Sequence, residues 1–209
     1  MTEASRQAIS ILRSPDHFQW YLIPFLALIL YVYVSEAQKG HWHAVLTGLI
    51  FAAAEFAWEI LNALVLHFTR YSALWTTPGD TAYLIMAGLN IEIYMMFSLA
   101  GLVLAKSLPA DPAQRIMELP SRIVIPLAWG IFCLIVEIIL NKWGALVWTY
   151  KYWSVPHVYF ILVAYAAPFF IMTYMHDRMP LKVKIATFWI FVCFDLVLWV
   201  IFAVWLRWI

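Results

Sequence analysis

Glu55-Phe56-Ala57-Trp58-Glu59-Ile60-Leu61-Asn62 places two carboxylates and an amide inside an apolar run long enough to cross a membrane. A charged side chain at mid-bilayer costs roughly 2.5–3.5 kcal/mol on insertion scales. A span therefore keeps such residues only where something other than lipid receives them. At helical spacing Glu55, Glu59 and Asn62 fall at i, i+4 and i+7 and share one face. Phe56, Ile60 and Leu64 lie on the other face, which the pattern expects against lipid. The helix thus turns a polar stripe inward.

The whole chain fits the same reading. Of its 209 residues 65% are apolar and only 12% charged, and the mean hydropathy is +0.83. A soluble domain is nearer half apolar and about a quarter charged. The expected fold class is all-α: an integral, multi-pass membrane helical bundle with six transmembrane helices. A net charge of +1 gives no reason to expect nucleic acid as a partner. Cys133 and Cys193 fall in apolar runs and read as buried thiols, not a disulfide.

The six spans are read at about Phe18–Val34, His43–His67, Thr81–Ala105, Arg122–Trp148, His157–Met175 and Lys184–Arg207. Asp80, after Pro78-Gly79, is expected to cap the third, and Pro168 to kink the fifth. Residues 1–17 lack a small-x-small cleavage pattern and read as an interfacial N-terminal segment. Residues 18–209 read as a single transmembrane domain. The loop from Lys106 to Arg122 carries Pro109, Pro112 and Pro120 and is expected to be exposed. Six spans put both termini on one face of the membrane, face A. Arginines and lysines divide too evenly between faces A and B to fix orientation.

Five acids fall within these spans: Glu55, Glu59, Glu92, Glu137 and Asp195. Counted from the predicted span ends, Glu59, Glu92, Glu137 and Asp195 lie roughly 12–18 Å below face A at 1.5 Å per residue. They are therefore expected to converge on one chamber. So many acids at one depth cannot all carry charge. The plainer alternative is that Glu55, Glu59, Glu92 or Glu137 is interhelical glue, hydrogen-bonded to an asparagine amide. Asn62, Asn90 and Asn141 either orient acids or touch a ligand. Trp58, Tyr94, Phe191 and Trp199 sit deep enough to line a pocket, where π faces stabilise a cation, though core packing explains them too. Trp148 to Trp153 reads as an interfacial belt.

Metal binding is the rival use of the acids. Glu55-x-x-x-Glu59 has two carboxylates for one ion, but the Glu-x-x-His motif of carboxylate di-iron sites is missing. The histidines, His17 among them, fall at span ends. No metal or other cofactor is expected. Phosphate loops, nucleophile elbows and Cys-x-x-Cys motifs are also lacking.

Ala57-Trp58-Glu59-Ile60, preceded by Ala52-Ala53-Ala54 on the second span, resembles the integral-membrane terpene cyclases of meroterpenoid biosynthesis. Their pattern is a Trp-Glu on the second helix and an Asp on the last. Asp195, in Phe191-Val192-Cys193-Phe194-Asp195, occupies the matching place. The resemblance implies that Glu59 and Asp195 are proton donors that open an epoxide or protonate an olefin.

The leading expectation is a membrane enzyme acting on a lipid-soluble, isoprenoid-type substrate by acid-initiated cyclisation or isomerisation. A protonated carboxyl in an apolar pocket is a general acid, and aromatic walls exclude water from a carbocation. Glu59 and Asp195 are the candidate acids, and Glu92 and Glu137 a second acid or base. Trp58, Tyr94 and Trp199 form the wall; Asn62, Asn90, Asn141 and Phe191 add substrate contacts. Glu59→Gln is expected to spare folding, and Glu55→Gln to weaken it if Glu55 is interhelical glue. The expected partners are the small-molecule substrate and membrane lipid. Two other classes stay open: a proton-coupled transporter or channel, and a non-catalytic subunit of a membrane complex. A closed, aromatic chamber favours the enzyme; a polar path through both faces favours transport.

Overall fold

A computed structural model describes residues 1–209, apart from the side chain of His17. The reading of that histidine lies outside the described residues. Helix α1 is Glu3–Ser10, α2 Leu22–Gln38, α3 Trp42–Thr69, α4 Ile91–Ser107, α5 Ser121–Lys142, α6 Val158–Arg178 and α7 Leu181–Trp199. The last continues as a π-helical stretch, Val200–Trp205. Six strands of two or three residues pair as β1 Trp75–Thr76 with β6 Val147–Trp148, β2 Leu84–Met86 with β3 Leu89–Asn90, and β4 Arg115–Ile116 with β5 Leu119–Pro120.

Helix α3, 28 residues long, is the hub. Helices α4 and α7 pack closely along it, and α2 flanks α3 and α4. Small residues permit the α3–α4 crossing: a Cβ on Gly101 would stand 3.0 Å from the Gly48 Cα and 2.7 Å from the Phe51 Cβ. Helices α5 and α6 form a separate hairpin, close-packed where Gly130 faces Ala166. That hairpin touches α3 and α4 sparsely. The bundle is therefore two bodies with a cleft between them. Towards face B the cleft is filled by Ile50, Phe51, Leu104, Phe169 and Met172.

Four helices are long and apolar enough to cross a membrane: Trp42–Thr69, Ser121–Lys142, Val158–Arg178 and Leu181–Trp205. Helix α2 is apolar but shorter. At 17 residues each, α2 and α4 reach about 26 Å, short of a hydrocarbon core of about 30 Å.

The third predicted span is corrected most. Helix α4 begins at Ile91, not Thr81, and its cap is Asn90, whose Oδ1 accepts from the Ile93 N–H at 2.8 Å. Asp80 is not the cap. Residues 72–90 are short strands and turns, much of them fully buried (Ser72, Ala73, Thr76, Ala82, Met86, Leu89). Non-helical backbone at this depth persists only where protein surrounds it and takes up its hydrogen bonds. Here β1 pairs with β6, the Thr77 N–H donates to the Ala87 carbonyl (2.9 Å), and Asn62 accepts from the Leu74 N–H and donates to the Trp75 carbonyl. Helix α5 stops at Lys142, short of Trp148, because Gly144 takes a positive φ of 73° that ends the helix. Pro168 lies inside α6, which runs on through it. The 106–122 loop carries the β4–β5 pair.

The lipid-facing expectation for Phe56, Ile60 and Leu64 is also corrected. Helix α7 covers that face, packing Leu198, Trp199 and Phe202 against it, with Tyr94 from α4. Face A carries a lid. The Arg13 N–H donates to the Leu84 carbonyl (2.9 Å), and Ser5, Ser72 and Thr149 join in a hydroxyl chain (3.0 and 2.9 Å). The N-terminal segment thus lies over residues 72–90 and the α5–α6 connection.

Candidate active site

Helix α3 carries Glu55 and Glu59 along the cleft, and α5 brings Glu137 to it from the opposite body. All three line a cavity of about 250 Å³ between α4 and α5, walled by Trp75, Phe97, Trp129, Phe132 and Tyr165. A second cavity of about 470 Å³ lies between α3 and α6, walled by Trp58, Trp75, Phe97, Trp153, Tyr165 and Phe191. Glu55 borders both.

The three carboxyls differ in how the protein holds them. Trp75 Nε1 donates to Glu59 Oε1 at 2.8 Å, and Asn62 Nδ2 donates to Glu59 Oε2 at 3.2 Å. Asn62 is itself fixed. It donates to the Trp75 carbonyl (3.1 Å) and accepts from the Leu74 N–H (2.8 Å). Gly88 closes the group from the other side. A Cβ there would lie 2.2 Å from Asn62 Nδ2 and 2.8 Å from Glu59 Oε2, so only glycine admits the arrangement. Glu137 is the opposite case. It is buried and its Oε2 has no hydrogen-bond partner. The Trp148 indole and Tyr165 hydroxyl face it, but Trp148 Nε1 is also unbonded. Glu55 makes no hydrogen bond among the described residues and lies within electrostatic reach of both other acids.

An ionised carboxylate is acceptor-only, whereas a protonated one has an O–H to give. Glu59, with a donor on each oxygen, is held as an acceptor. Glu137, with an unpartnered oxygen, has hydrogen-bonding capacity open to a ligand. The cavities around them are almost wholly apolar.

Glu92 and Asp195 do not join this group, which corrects the four-acid chamber. The depth assigned to Glu92 assumed a helix from Thr81. With α4 starting at Ile91, Glu92 sits in its first turn at the face-A end, where acids favour the helix dipole. There it accepts from Thr81 Oγ1 (2.6 Å), the Ala82 N–H (2.7 Å) and the Tyr21 hydroxyl. Asp195 is buried on α7 with Oδ1 unpartnered. It borders neither cavity and lies within reach of Tyr94 on the far flank of α3.

The other candidates divide similarly. Trp58 and Phe191 line the second cavity. Tyr94 and Trp199 instead pack on Phe56, with ring centroids 5.8 and 5.6 Å away. Trp199 also carries the Arg13 guanidinium 4.8 Å from its ring centre. Asn62 positions Glu59. Asn90 caps α4, and Asn141 Nδ2 donates to the Leu146 carbonyl at 3.0 Å, closing the turn after α5. Glu55, for which interhelical glue is one of two readings, borders both cavities.

Trp75, Tyr165 and Cys133 are site residues that the sequence reading missed. Trp75 sits in a stretch read as a loop. Tyr165 looks like any other aromatic of a span, although Glu137, Glu55 and Cys133 all surround it. Among the described residues no group of three or more His, Cys, Asp or Glu is placed to share a metal ion.

Comparison with known proteins agrees on the class. The model of an uncharacterized membrane protein family matches residues 2–204. A protein of Archaeoglobus fulgidus, described as an uncharacterized protein, is 40% identical over 209 residues, covering 100% of this chain and 99% of its own length. No solved structure matches the chain.

Proposed function

The chain belongs to this membrane protein family and is an integral, multi-pass membrane protein; on that premise we propose that it is an enzyme that isomerises or cyclises a lipid-soluble, isoprenoid-type substrate by protonating a carbon–carbon double bond. The observation that carries this reading is Glu137. It is a buried carboxyl with an unbonded oxygen, opposite Glu59 and Glu55, in an apolar cleft walled by aromatic rings. In this reading all six helices α2–α7 cross the membrane, the short α2 and α4 being extended by the segments that precede them.

Chemically, Glu137 gives its proton to one alkene carbon, leaving a carbocation at the other. The faces of Trp129, Phe97 and Trp75 stabilise that cation, and the absence of water preserves it. The cation either moves directly to the next step or is first attacked by a second double bond, which closes a ring. Glu59, aimed by Trp75 and Asn62, then takes a proton from the neighbouring carbon and restores a double bond. Between turnovers, when the site is empty, Glu59 loses that proton and Glu137 is reprotonated from solvent; Glu55, within electrostatic reach of both acids, assists that exchange. The resemblance of the Trp58-Glu59 stretch to membrane terpene cyclases supports acid-initiated chemistry only as a class: it implies Glu59 and Asp195 as donors, whereas this reading makes Glu137 the donor and Glu59 the base.

The reading is tested with lipid that co-purifies with the protein, incubated with fresh enzyme in D2O. One deuterium per product molecule, bound to carbon, is expected. Conversion without deuterium, or conversion of none of the lipid, overturns it.

A further inference from the structure

The two cavities share Glu55, Trp75, Phe97 and Tyr165. Phe97 and Tyr165 border both, their planes 5° apart and their centroids at 6.2 Å. Each cavity opens sideways, not towards water. The rim of the first is formed by Val103 of α4 and Phe132 of α5, 39% and 53% exposed. The rim of the second is formed by Trp58 of α3 and Ile171 of α6, 46% and 55% exposed. These residues lie on apolar, outward surfaces, so the exposure is to hydrocarbon. Helices α3 and α4 are neighbours in one body, and α5 and α6 in the other. The α4–α5 and α3–α6 gaps are therefore opposite edges of the same four-helix cleft.

Both aqueous directions are closed. Towards face B stand Phe51, Phe169 and Met172. Towards face A stand Leu146 and the Trp75–Trp153 stack, with centroids at 5.3 Å, under the β1–β6 pair. A ligand reaches the acids only from the bilayer.

We infer that the two cavities are halves of one site, which binds a linear hydrocarbon chain threaded across the protein in the membrane plane, an interior segment of that chain lying against Glu55. The first cavity alone is smaller than the roughly 300–1,000 Å³ typical of ligand sites, and joining it to the second brings it within that range. Apart from the acids the walls are mostly apolar, which suits a hydrocarbon segment of the ligand. Two mouths let both ends of the ligand remain in lipid, so chain length is unrestricted while the reacting position is fixed. This inference deepens the preceding reading and relies on it for what the acids do, but the path of the chain stands on geometry alone.

The test uses two linear probe lipids of equal length, one with a photoactivatable diazirine at mid-chain and one with it at the terminal methyl. They are crosslinked to the full-length protein in bilayers, and labelled peptides are identified. The mid-chain probe is expected to label the peptides of Glu55 and Tyr165. The terminal probe is expected to label the rims. Val103→Trp plugs one mouth and Ile171→Trp the other; either should cut mid-chain labelling by about tenfold, the effect of displacing one or two methylene groups. A plug that lowers thermal stability is replaced by Met96→Trp or Ala167→Trp at the same mouth. Loss with only one of the two plugs means a blind pocket and overturns the inference. So does stronger labelling of Glu55 by the terminal probe, or labelling indifferent to both plugs. The same labelling is read in Glu137→Gln, where no turnover is expected. Labelling that persists there while deuterium incorporation fails in wild type removes the enzyme reading and leaves the threaded site.

Discussion

The indole of Trp75 donates to Glu59 at 2.8 Å across a gap of sixteen residues. Glu59 belongs to the longest helix, Trp75 to a buried non-helical segment that closes the chamber towards face A. The lid and the acid are thus one hydrogen-bonded unit, with Asn62 tying both to the same backbone.

Trp75→Phe should separate orientation from packing. The ring can keep its stack on Trp153, but Glu59 Oε1 loses its donor. A buried acceptor left unsatisfied costs about 1–3 kcal/mol. Thermal unfolding in detergent should fall accordingly, and turnover with it. Unchanged stability means that the bond contributes nothing and that Glu59 is held by other means.

Gly88→Ala should be far worse than Gly40→Ala. At Gly88 the new methyl meets Asn62, Glu59 and the Trp75 indole nitrogen, all within 2.9 Å. Overpacking of this kind costs about 1–3 kcal/mol, and here it also splits the polar group. Gly40 has nothing within 4 Å, and its only penalty is a φ of 78°, about 1–2 kcal/mol for an L-residue. Gly40→Ala should lower thermal stability while leaving turnover intact; Gly88→Ala should abolish turnover.

These positions also mark the limit of what the chain discloses. The shared face of Glu55, Glu59 and Asn62 was legible because helical period alone sets it. The polar stripe does face the cleft. Helix identity was legible wherever apolar runs are long. Thr81–Asn90 was not, since a buried segment of strands is as apolar as a helix and carries two cap residues, Asp80 and Asn90, ten apart. Reading the wrong cap moved Glu92 from the helix end to mid-membrane. Asp195 was misplaced for another reason. Depth follows from counting residues, but which side of α3 a neighbouring helix occupies does not. Tyr165 is one of eleven tyrosines, and only packing distinguishes it.

Lys184→Met should loosen face B and spare the site. This lysine is fully buried, and its ammonium donates to the carbonyls of His43 and His176 (both 3.3 Å) and to Thr47 Oγ1 (3.1 Å). It ties α3, α6 and α7 together and satisfies a carbonyl in the last turn of α6, where positive charge also suits the dipole. Methionine fills the space but strands these acceptors, for a loss of about 1–3 kcal/mol. Lys184 borders neither cavity, so the folded variant should turn over normally. A folded but inactive Lys184→Met would place the amine in the chemistry.

Glu36 should govern acid sensitivity. It lies beyond the apolar span that ends at Val34. Lys106 (2.8 Å), His41 (2.6 Å) and Lys39 (2.9 Å) surround it and hold its carboxyl down at about 2. Because the folded-state value lies below the ordinary one of 4.5, this cluster stabilises the protein fully above about pH 4.5, and the contribution fades as pH falls towards 2. Glu36→Gln should lower thermal stability at pH 7 and differ little from wild type near pH 2. A difference that is constant with pH would mean that packing, not charge, is lost.

Glu137→Gln and Glu59→Gln should fail in different ways. Glutamine at 137 keeps the shape and removes the transferable proton. Since Glu137 Oε2 has no partner to lose, thermal stability should stay near wild type. General acid catalysis contributes typically 10²–10⁴-fold, so turnover should fall by at least about 100-fold. Glutamine at 59 instead sets an amide NH2 against either the Asn62 amide or the Trp75 indole, both donors. One donor is left unsatisfied, so Glu59→Gln should lose about 1–3 kcal/mol as well as activity. This reverses the sequence-based expectation that Glu59→Gln spares folding while Glu55→Gln, with Glu55 as interhelical glue, weakens it. Glu55, without a hydrogen bond to lose, should tolerate glutamine in stability and slow only the reprotonation of Glu137 from solvent. Turnover, deuterium incorporation and thermal unfolding, measured on all three variants, separate these outcomes. Full activity in Glu137→Gln would remove it as the proton donor, and stability unchanged in Glu59→Gln would break the link between the lid and the acid.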